Sequence, residues 1–417
     1  MKNDGGGGES TLARFARANG WAVAARMVVA VGNFVRFIVF LRLLTPFDFG
    51  VAVAAFFTLD TLSVPTEMNF MRALIQQDEE PHDFLDTIWV LKIVRAVLIA
   101  LVLASFAKPL AIFFKQADSY PVFWMAAILG MVREMQSPAA VRMFRELEYR
   151  NMLVFNVVEF AATLGFGVTA VLILKGWRGL MVGVIAGQAC WAGVSYLYYP
   201  YRPRFRFDFQ QTRELFKYGR WITAARLSQF LARQLDSLAV GHMLGPDSLG
   251  AYKLAFNIGE APMGEFSGAV EQVTFPMIAR LRGTREERNR VMYWGIAAVL
   301  AAGAIYSVIL IRWGGPLLVW LFGSNWAGAV APLRLLCLCG LFQGLLTLAA
   351  SFFEGIGTPA VSFKLSLVRV VTLAIFVYPL TLWFGNSGAA GAALISVIIP
   401  IPFMLLLMRN MVGSAAA

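Results

Sequence analysis

Long apolar runs, separated by short polar segments marked by proline or glycine, dominate the chain. Twelve of them are long enough to cross a bilayer, whose hydrocarbon core takes roughly twenty helical residues. They lie at about 21–44, 51–74, 86–107, 119–141, 152–174, 179–200, 218–244, 249–278, 290–312, 329–352, 361–384 and 388–408. The breaks hold Pro46 and Gly50, Pro81, Lys175 and Gly176, Pro203, Gly245 and Pro246, Gly283, Gly355 and Gly357, and Gly385. Such residues stop or turn a helix. Strands are not expected, because a lipid-spanning segment must close its backbone hydrogen bonds within itself. The pattern predicts an all-α integral membrane protein of twelve transmembrane helices, and no loop is long enough for a separate soluble domain.

The runs repeat. At an offset of two hundred residues, Trp21, Ala24, Ala25 and Arg26 answer Trp221, Ala224, Ala225 and Arg226. Leu44, Pro46 and Gly50 answer Leu244, Pro246 and Gly250, and Ala55-Phe56 answers Ala255-Phe256. Asp60 faces Glu260, a matched acid, and a weaker register joins Gly130 to Gly340. Six helices per copy is an even number, so both copies enter the membrane in the same sense. Parallel repeats of this kind are related by an axis along the membrane normal, with the substrate site between the halves. The expected organisation is an amphipathic cytoplasmic segment over 1–20 and a six-helix lobe over 21–200. A cytoplasmic linker over 201–217, a second six-helix lobe over 218–408 and a tail over 409–417 follow.

Composition agrees. Of 417 residues, 59% are hydrophobic and 15% charged, against about 25% charged in a soluble domain. That excludes a soluble enzyme and a disordered chain. The net charge of +11 does not point to nucleic acid, because the basic residues collect in alternate short loops and form no stripe. One side holds Arg14 and Arg17, then Arg142, Arg145 and Arg150, then Arg202, Arg204, Arg206, Arg213, Lys217 and Arg220, then Arg280, Arg282, Arg285, Arg288 and Arg290. By the positive-inside rule both termini are cytoplasmic. Residues 1–20 lack the apolar core of a signal peptide. Ser10 is placed to cap a short surface helix with Leu12 and Phe15 on one face and Arg14 and Arg17 on the other. Cys190, Cys337 and Cys339 all fall inside apolar runs and read as small core residues.

Ionisable groups inside spanning helices cost roughly 2.5–3.5 kcal/mol each on insertion scales, so they face a cavity or a partner. The first helix carries Arg26, Asn33 and Arg36; the seventh carries Arg226, Arg233 and Asp236. A spacing of seven returns to one helix face, and the positions correspond under the repeat. One reading is a cationic cavity between the lobes that holds an anion such as a diphosphate through Arg26, Arg36, Arg226 and Arg233, since guanidinium forks grip phosphate oxygens in pairs. The other is that the arginines neutralise Asp60, Glu67, Glu159, Glu260 and Glu265 and merely lock the bundle. Asp60, Glu67, Asp236, Glu260 and Glu265 are candidates for ion coupling or for charge pairing. Pro65 and Pro262 are positioned to bend their helices. Gly183 with Gly187, and Gly340 with Gly344, have the spacing for close helix packing. No nucleophile elbow, metal-ligand cluster or nucleotide loop occurs in the sequence, so no enzyme activity, cofactor or metal is expected.

In the second repeat Asp236 is followed by Gly241, Leu244-Gly245, Leu249-Gly250, Tyr252 and Ala255. With Arg42 to Pro46, Asp48 to Gly50, Ala73 to Gln76, Phe275-Pro276, and Phe322-Gly323 with Trp326, Pro332 and Leu335, the chain resembles the polysaccharide flippases of the multidrug/oligosaccharidyl-lipid/polysaccharide transporter superfamily. The resemblance implies a V-shaped pair of six-helix lobes working by alternating access in the bacterial inner membrane. It implies an oligosaccharide on undecaprenyl diphosphate as cargo, for lipopolysaccharide or exopolysaccharide synthesis. A polysaccharide polymerase and other assembly proteins are the partners such a role would bring. Two alternatives stay open: a cation-coupled small-molecule exporter of the same superfamily, and a membrane glycosyltransferase or ligase. The second normally has an extended outer loop, which the run spacing does not leave room for.

Overall fold

The computed structural model describes residues 29–66, 82–145, 148–205, 230, 233–280, 285–356 and 358–413. Every regular element among them is helical, as lipid burial of the backbone requires. In chain order these are α1 (29–43), α2 (Pro46–Ser63), α3 (His82–Ser105), α4 (Ala107–Phe113), α5 (Pro121–Glu134), α6 (Val141–Arg145), α7 (Tyr149–Leu174) and α8 (Trp177–Tyr198). Then come α9 (233–244), α10 (Pro246–Gly259), α11 (Ala261–Arg280), α12 (Arg285–Phe322), α13 (Val330–Gly355), α14 (Pro359–Ile398) and α15 (Pro400–Gly413). Seven candidate spans among the described residues are long and apolar enough to cross a membrane. One of them, Ala360–Leu407, contains Gly385 in a left-handed conformation (φ 57°) that breaks its helix. That break stands where the apolar runs 361–384 and 388–408 part.

Two expected boundaries shift. The run at 249–278 is two helices, α10 and α11, with Glu260 as the turn between them and Pro262 one step into α11. The run at 119–141 ends as α5 at Glu134 and resumes through a 3-10 turn, Pro138–Ala140. Pro65 sits in a 3-10 turn, Val64–Thr66, at the close of α2. In each case proline lies at an end, where its missing N–H costs least.

The chain divides into two compact units. The first holds 1–43, 55–110 and 119–227; the second holds 44–54, 111–118 and 228–417. In the first, α7 and α8 approach closely through glycines. A Cβ on Gly183 would lie 2.4 Å from the Cα of Gly167, and one on Gly187 would lie 1.9 Å from Thr163 Oγ1. Small residues let helix backbones meet where lipid gives no hydrophobic drive. One end of this unit is sealed by Leu85, Ile88, Val141, Met143, Phe155, Tyr199 and Tyr201. There Tyr201 and Tyr199 donate hydrogen bonds to Asp86 and Glu148 respectively, tying the chain that follows α8 back to α3 and α7. Burial and the neighbouring Asp86 carboxylate push the Tyr201 hydroxyl pKa up.

The second unit is built around α13, which is buried along most of its length, with Leu336, Cys337, Cys339, Ala349 and Phe353 almost inaccessible. Gly340 sits against the backbone of Glu260, and Gly344 against Ser267. In the same unit the starts of α2 and α10 cross. A Cβ on Gly50 would lie 1.8 Å from the carbonyl oxygen of Pro246, and one on Gly250 would lie 2.0 Å from that of Pro46. The residues that matched at an offset of two hundred thus touch each other reciprocally. Lys115 donates to the carbonyl of Met243 (2.7 Å), and Phe113 stacks on His242 beside that crossing in the sequence order of α4 and α9. Outward faces carry large exposed apolar side chains, among them Leu98, Leu101, Ile173, Trp294, Ile305, Trp320 and Trp383, a surface suited to hydrocarbon.

Candidate functional site

The first unit gathers charged and amide side chains inside its apolar helices. Arg36 on α1 donates from Nη1 to Glu159 Oε1 on α7 (2.9 Å) and from Nη2 to Asn33 Oδ1 (2.8 Å). Thr163 donates to the same Glu159 oxygen (3.2 Å). Arg36 and Asn33 are three apart, so one helix face presents both; Glu159 and Thr163 are related in the same way by four. The side chains of Arg36 and Glu159 are 28% and 16% exposed, which places the pair at the wall of an opening and not in the packed interior.

That opening is a cavity of about 820 Å³, with Asn33, Arg36, Asn156, Glu159, Gln188 and Trp191 as its polar and indole lining and Val31, Val35 and Phe160 among its apolar walls. Gln136 Nε2 donates to Gln188 Oε1 (3.2 Å). Trp191 is set by an edge-to-face contact with Phe155, centroids 5.3 Å apart. The volume falls within the range of small-molecule sites.

Further ionic groups of this unit lie on α2, α3 and α5. Arg95 pairs with Glu134, with Lys92 4.0 Å from the same carboxylate. Lys92 also donates to the carbonyl of Gln136 (3.2 Å). Arg133 reaches Asp60 at 3.3 Å, both side chains well exposed. Across these sets the cations Arg36, Lys92, Arg95 and Arg133 face the carboxylates Glu159, Glu134 and Asp60. Lys92, Arg95, Arg133 and Glu134 were not singled out in the sequence. The signal was present: two basic residues three apart within the apolar run 86–107 share a helix face.

The second unit treats its ionic groups differently. Asp236 on α9 is 4% exposed. It accepts from Tyr252 Oη (2.7 Å) and from the backbone N–H of Ser237 (2.6 Å). Glu260 is 9% exposed and lies 4.0 Å from Arg369 on α14. Lys253 donates to Gln234 (3.3 Å) and sits 4.4 Å from the centre of the Phe256 ring. Glu265 is exposed on α11, apart from Asp236 and Glu260 in its burial, and Arg233 is exposed on α9. Arg369, like Lys92 and Arg95, escaped the sequence reading inside an apolar run.

The expected site residues therefore differ in their surroundings. Arg36 is bound to Glu159, the pairing that the second sequence reading held open for it. Asp60 is bound to Arg133. Asp236 and Glu260 are buried, while Arg233 and Glu265 are exposed. Arg26, Glu67 and Arg226 lie outside the described residues. Positions 33 and 233 are both exposed, whereas Arg36 is half-buried and its counterpart Asp236, of opposite charge, is buried. Among the described residues no group of three or more His, Cys, Asp or Glu is placed to hold a metal ion, and the three cysteines are free thiols.

Residues 39–331 match the family described as "Polysaccharide biosynthesis protein". The succinoglycan biosynthesis transport protein ExoT of Rhizobium meliloti (strain 1021) is 25% identical over 360 residues, 84% of this chain and 71% of its own. The lipopolysaccharide biosynthesis protein WzxC of Escherichia coli (strain K12) is 21% identical, over 90% of this chain and 76% of its own. Among solved structures, an inward closed conformation of the lipid II flippase MurJ superposes with a TM-score of 0.72, at 13% identity, over 93% of this chain and 87% of that one. An inward-facing multidrug resistance MATE transporter reaches 0.62, at 15% identity, over 98% and 97%. At such identities these two likenesses establish a shared fold.

Proposed function

The chain belongs to the polysaccharide biosynthesis protein family, and from that premise we propose that it is a flippase for lipid-linked oligosaccharide in surface polysaccharide synthesis. In this reading it moves repeat units on undecaprenyl diphosphate from the cytoplasmic to the outer leaflet of the bacterial inner membrane. Twelve helices in two six-helix lobes, with both termini in the cytoplasm, would work by alternating access. The named roles of the relatives ExoT and WzxC in succinoglycan and lipopolysaccharide biosynthesis favour this over small-molecule export, a choice the shared fold does not make.

The observation that carries the reading is an open cavity with the Arg36–Glu159 ion pair and three amide side chains set in an otherwise apolar wall. A head group of sugars and diphosphate cannot cross hydrocarbon alone, because each unsatisfied polar group there costs several kcal/mol. Hydrogen-bonding groups on a wet wall replace the water that the head group loses, while the lipid tail stays in the bilayer. Arg233, exposed on α9, is the described arginine best suited to the diphosphate, whose oxygens a guanidinium fork grips in pairs. Arg26 and Arg226 complete the proposed set, while Arg36 shares its charge with Glu159 and lines the cavity of the first unit instead. Two negative charges moved outward against an inside-negative potential gain roughly 4.6 kcal/mol per 100 mV, enough to drive export without a counter-ion. Asp236 and Glu260, with Asp60, Glu67 and Glu265, are the groups through which an ion gradient would couple if one is used. No step of covalent chemistry is needed.

Deleting the gene in a cell that displays the polysaccharide tests the role. The expected result is loss of surface glycan with lipid-linked repeat units accumulating inside, restored by the intact chain. Normal display after deletion, or drug sensitivity alone, contradicts it.

A further inference from the structure

The cavity in the first unit holds few groups that suit a diphosphate and several that suit something else. The guanidinium of Arg36 is held on one side by Glu159 at 2.9 Å and on the other by Asn33 at 2.8 Å. A phosphate approaching it meets a carboxylate already in place, and like charges at that distance repel strongly in a half-buried site. The remaining lining is neutral. Because Asn33 and Gln188 each use their amide oxygen as an acceptor, their NH₂ groups are left to donate. Asn156 offers both a donor and an acceptor, and Glu159 has its second oxygen, Oε2. A set of donors and acceptors side by side matches hydroxyl groups, which do both; phosphate oxygens only accept. Trp191, steadied by Phe155, supplies the apolar surface against which the C–H face of a sugar ring packs.

Resting on the flippase reading, we infer that this cavity is a sugar-binding subsite, taking uncharged, hydroxyl-rich rings of the cargo and not its diphosphate. Arg36 and Glu159 act there as a mutually neutralised pair that presents hydrogen bonds to a diol. The cavity then selects cargo by its glycan, and the diphosphate is gripped elsewhere.

The test uses the full chain in vesicles containing two competing cargoes: undecaprenyl diphosphate bearing the cell's own repeat unit, and the same carrier bearing a single sugar. Competition within one vesicle population makes the ratio of the two rates independent of how much protein folded. Wild type is expected to favour the longer cargo at least tenfold. Trp191→Ala and Asn156→Leu should bring the ratio close to one, Trp191→Phe should keep part of the preference, and Arg233→Ala should slow both cargoes alike. A ratio near one in wild type, or a ratio left unchanged by Trp191→Ala and Asn156→Leu, overturns the subsite while leaving the flippase reading intact. Transfer of neither cargo by wild type overturns both.

Discussion

The two compact units hold several of their charged groups at different degrees of exposure. In the first, Arg36 with Glu159 and Arg133 with Asp60 are partly open, at 28% and 16% and at 39% and 44% exposure. In the second, Asp236 and Glu260 are at 4% and 9%, and Tyr252, which donates to Asp236, is wholly inaccessible. A wet pair can exchange partners with a ligand at little cost, whereas a dry carboxylate that loses its partner remains desolvated. The open pairs of the first unit are thus the cheaper ones to disturb, and the buried carboxylates of the second, a dry frame, the costlier.

Substitutions in the dry frame should hurt folding most. Replacing Arg369 by Ala strips Glu260 of a buried partner, and about 3 kcal/mol of stability should be lost, the low end for broken buried pairs because the contact is long at 4.0 Å. A clear fall in the melting midpoint of purified protein would register it; an unchanged midpoint would show that the frame is wetter than described. Gly250→Ala drives a Cβ toward the carbonyl of Pro46, with an expected cost of about 2 kcal/mol from overpacking. Gly50→Ala should match it, because the contact is reciprocal, and unequal effects would count against that symmetry. Tyr252→Phe leaves Asp236 short of one donor and should cost about 1.5 kcal/mol. Arg133→Ala breaks an exposed pair and should cost less than about 1 kcal/mol. If it destabilised as much as Arg369→Ala, the contrast between the units would be wrong.

Much of this was readable from residues alone. Gly385 marks the helix break where the apolar runs part, and the Pro46–Gly50 and Pro246–Gly250 matches turned out to be a physical contact. The repeat matched position 36 with 236, and the two carry charges of opposite sign. It did not give their partners, since Arg36 and Glu159 are 123 residues apart and spacing within one helix is silent on contacts between helices. Lys92 with Arg95, and Arg369, sit in runs whose other residues keep the mean hydropathy high, so hydropathy alone does not mark them. Pro262 marks a bend in the run 249–278, but the apolar pattern on either side does not show that the bend is a full division into two helices at Glu260. The amides and indole of the cavity, Asn156, Gln188 and Trp191, carry no motif. Only the packing of α1, α7 and α8 brings them together.

Transport of the head group itself is the most direct measurement. The purified chain is placed in sealed vesicles with undecaprenyl-diphosphate-linked repeat units in one leaflet, and an impermeant glycan-cleaving enzyme reports what has crossed. With an inside-negative potential, protein-containing vesicles should transfer the cargo many times faster than empty ones, and Arg233→Ala should slow the transfer at least tenfold at equal protein content. Equal rates with and without the protein, under a potential and under each ion gradient tried, would contradict the assignment as a flippase.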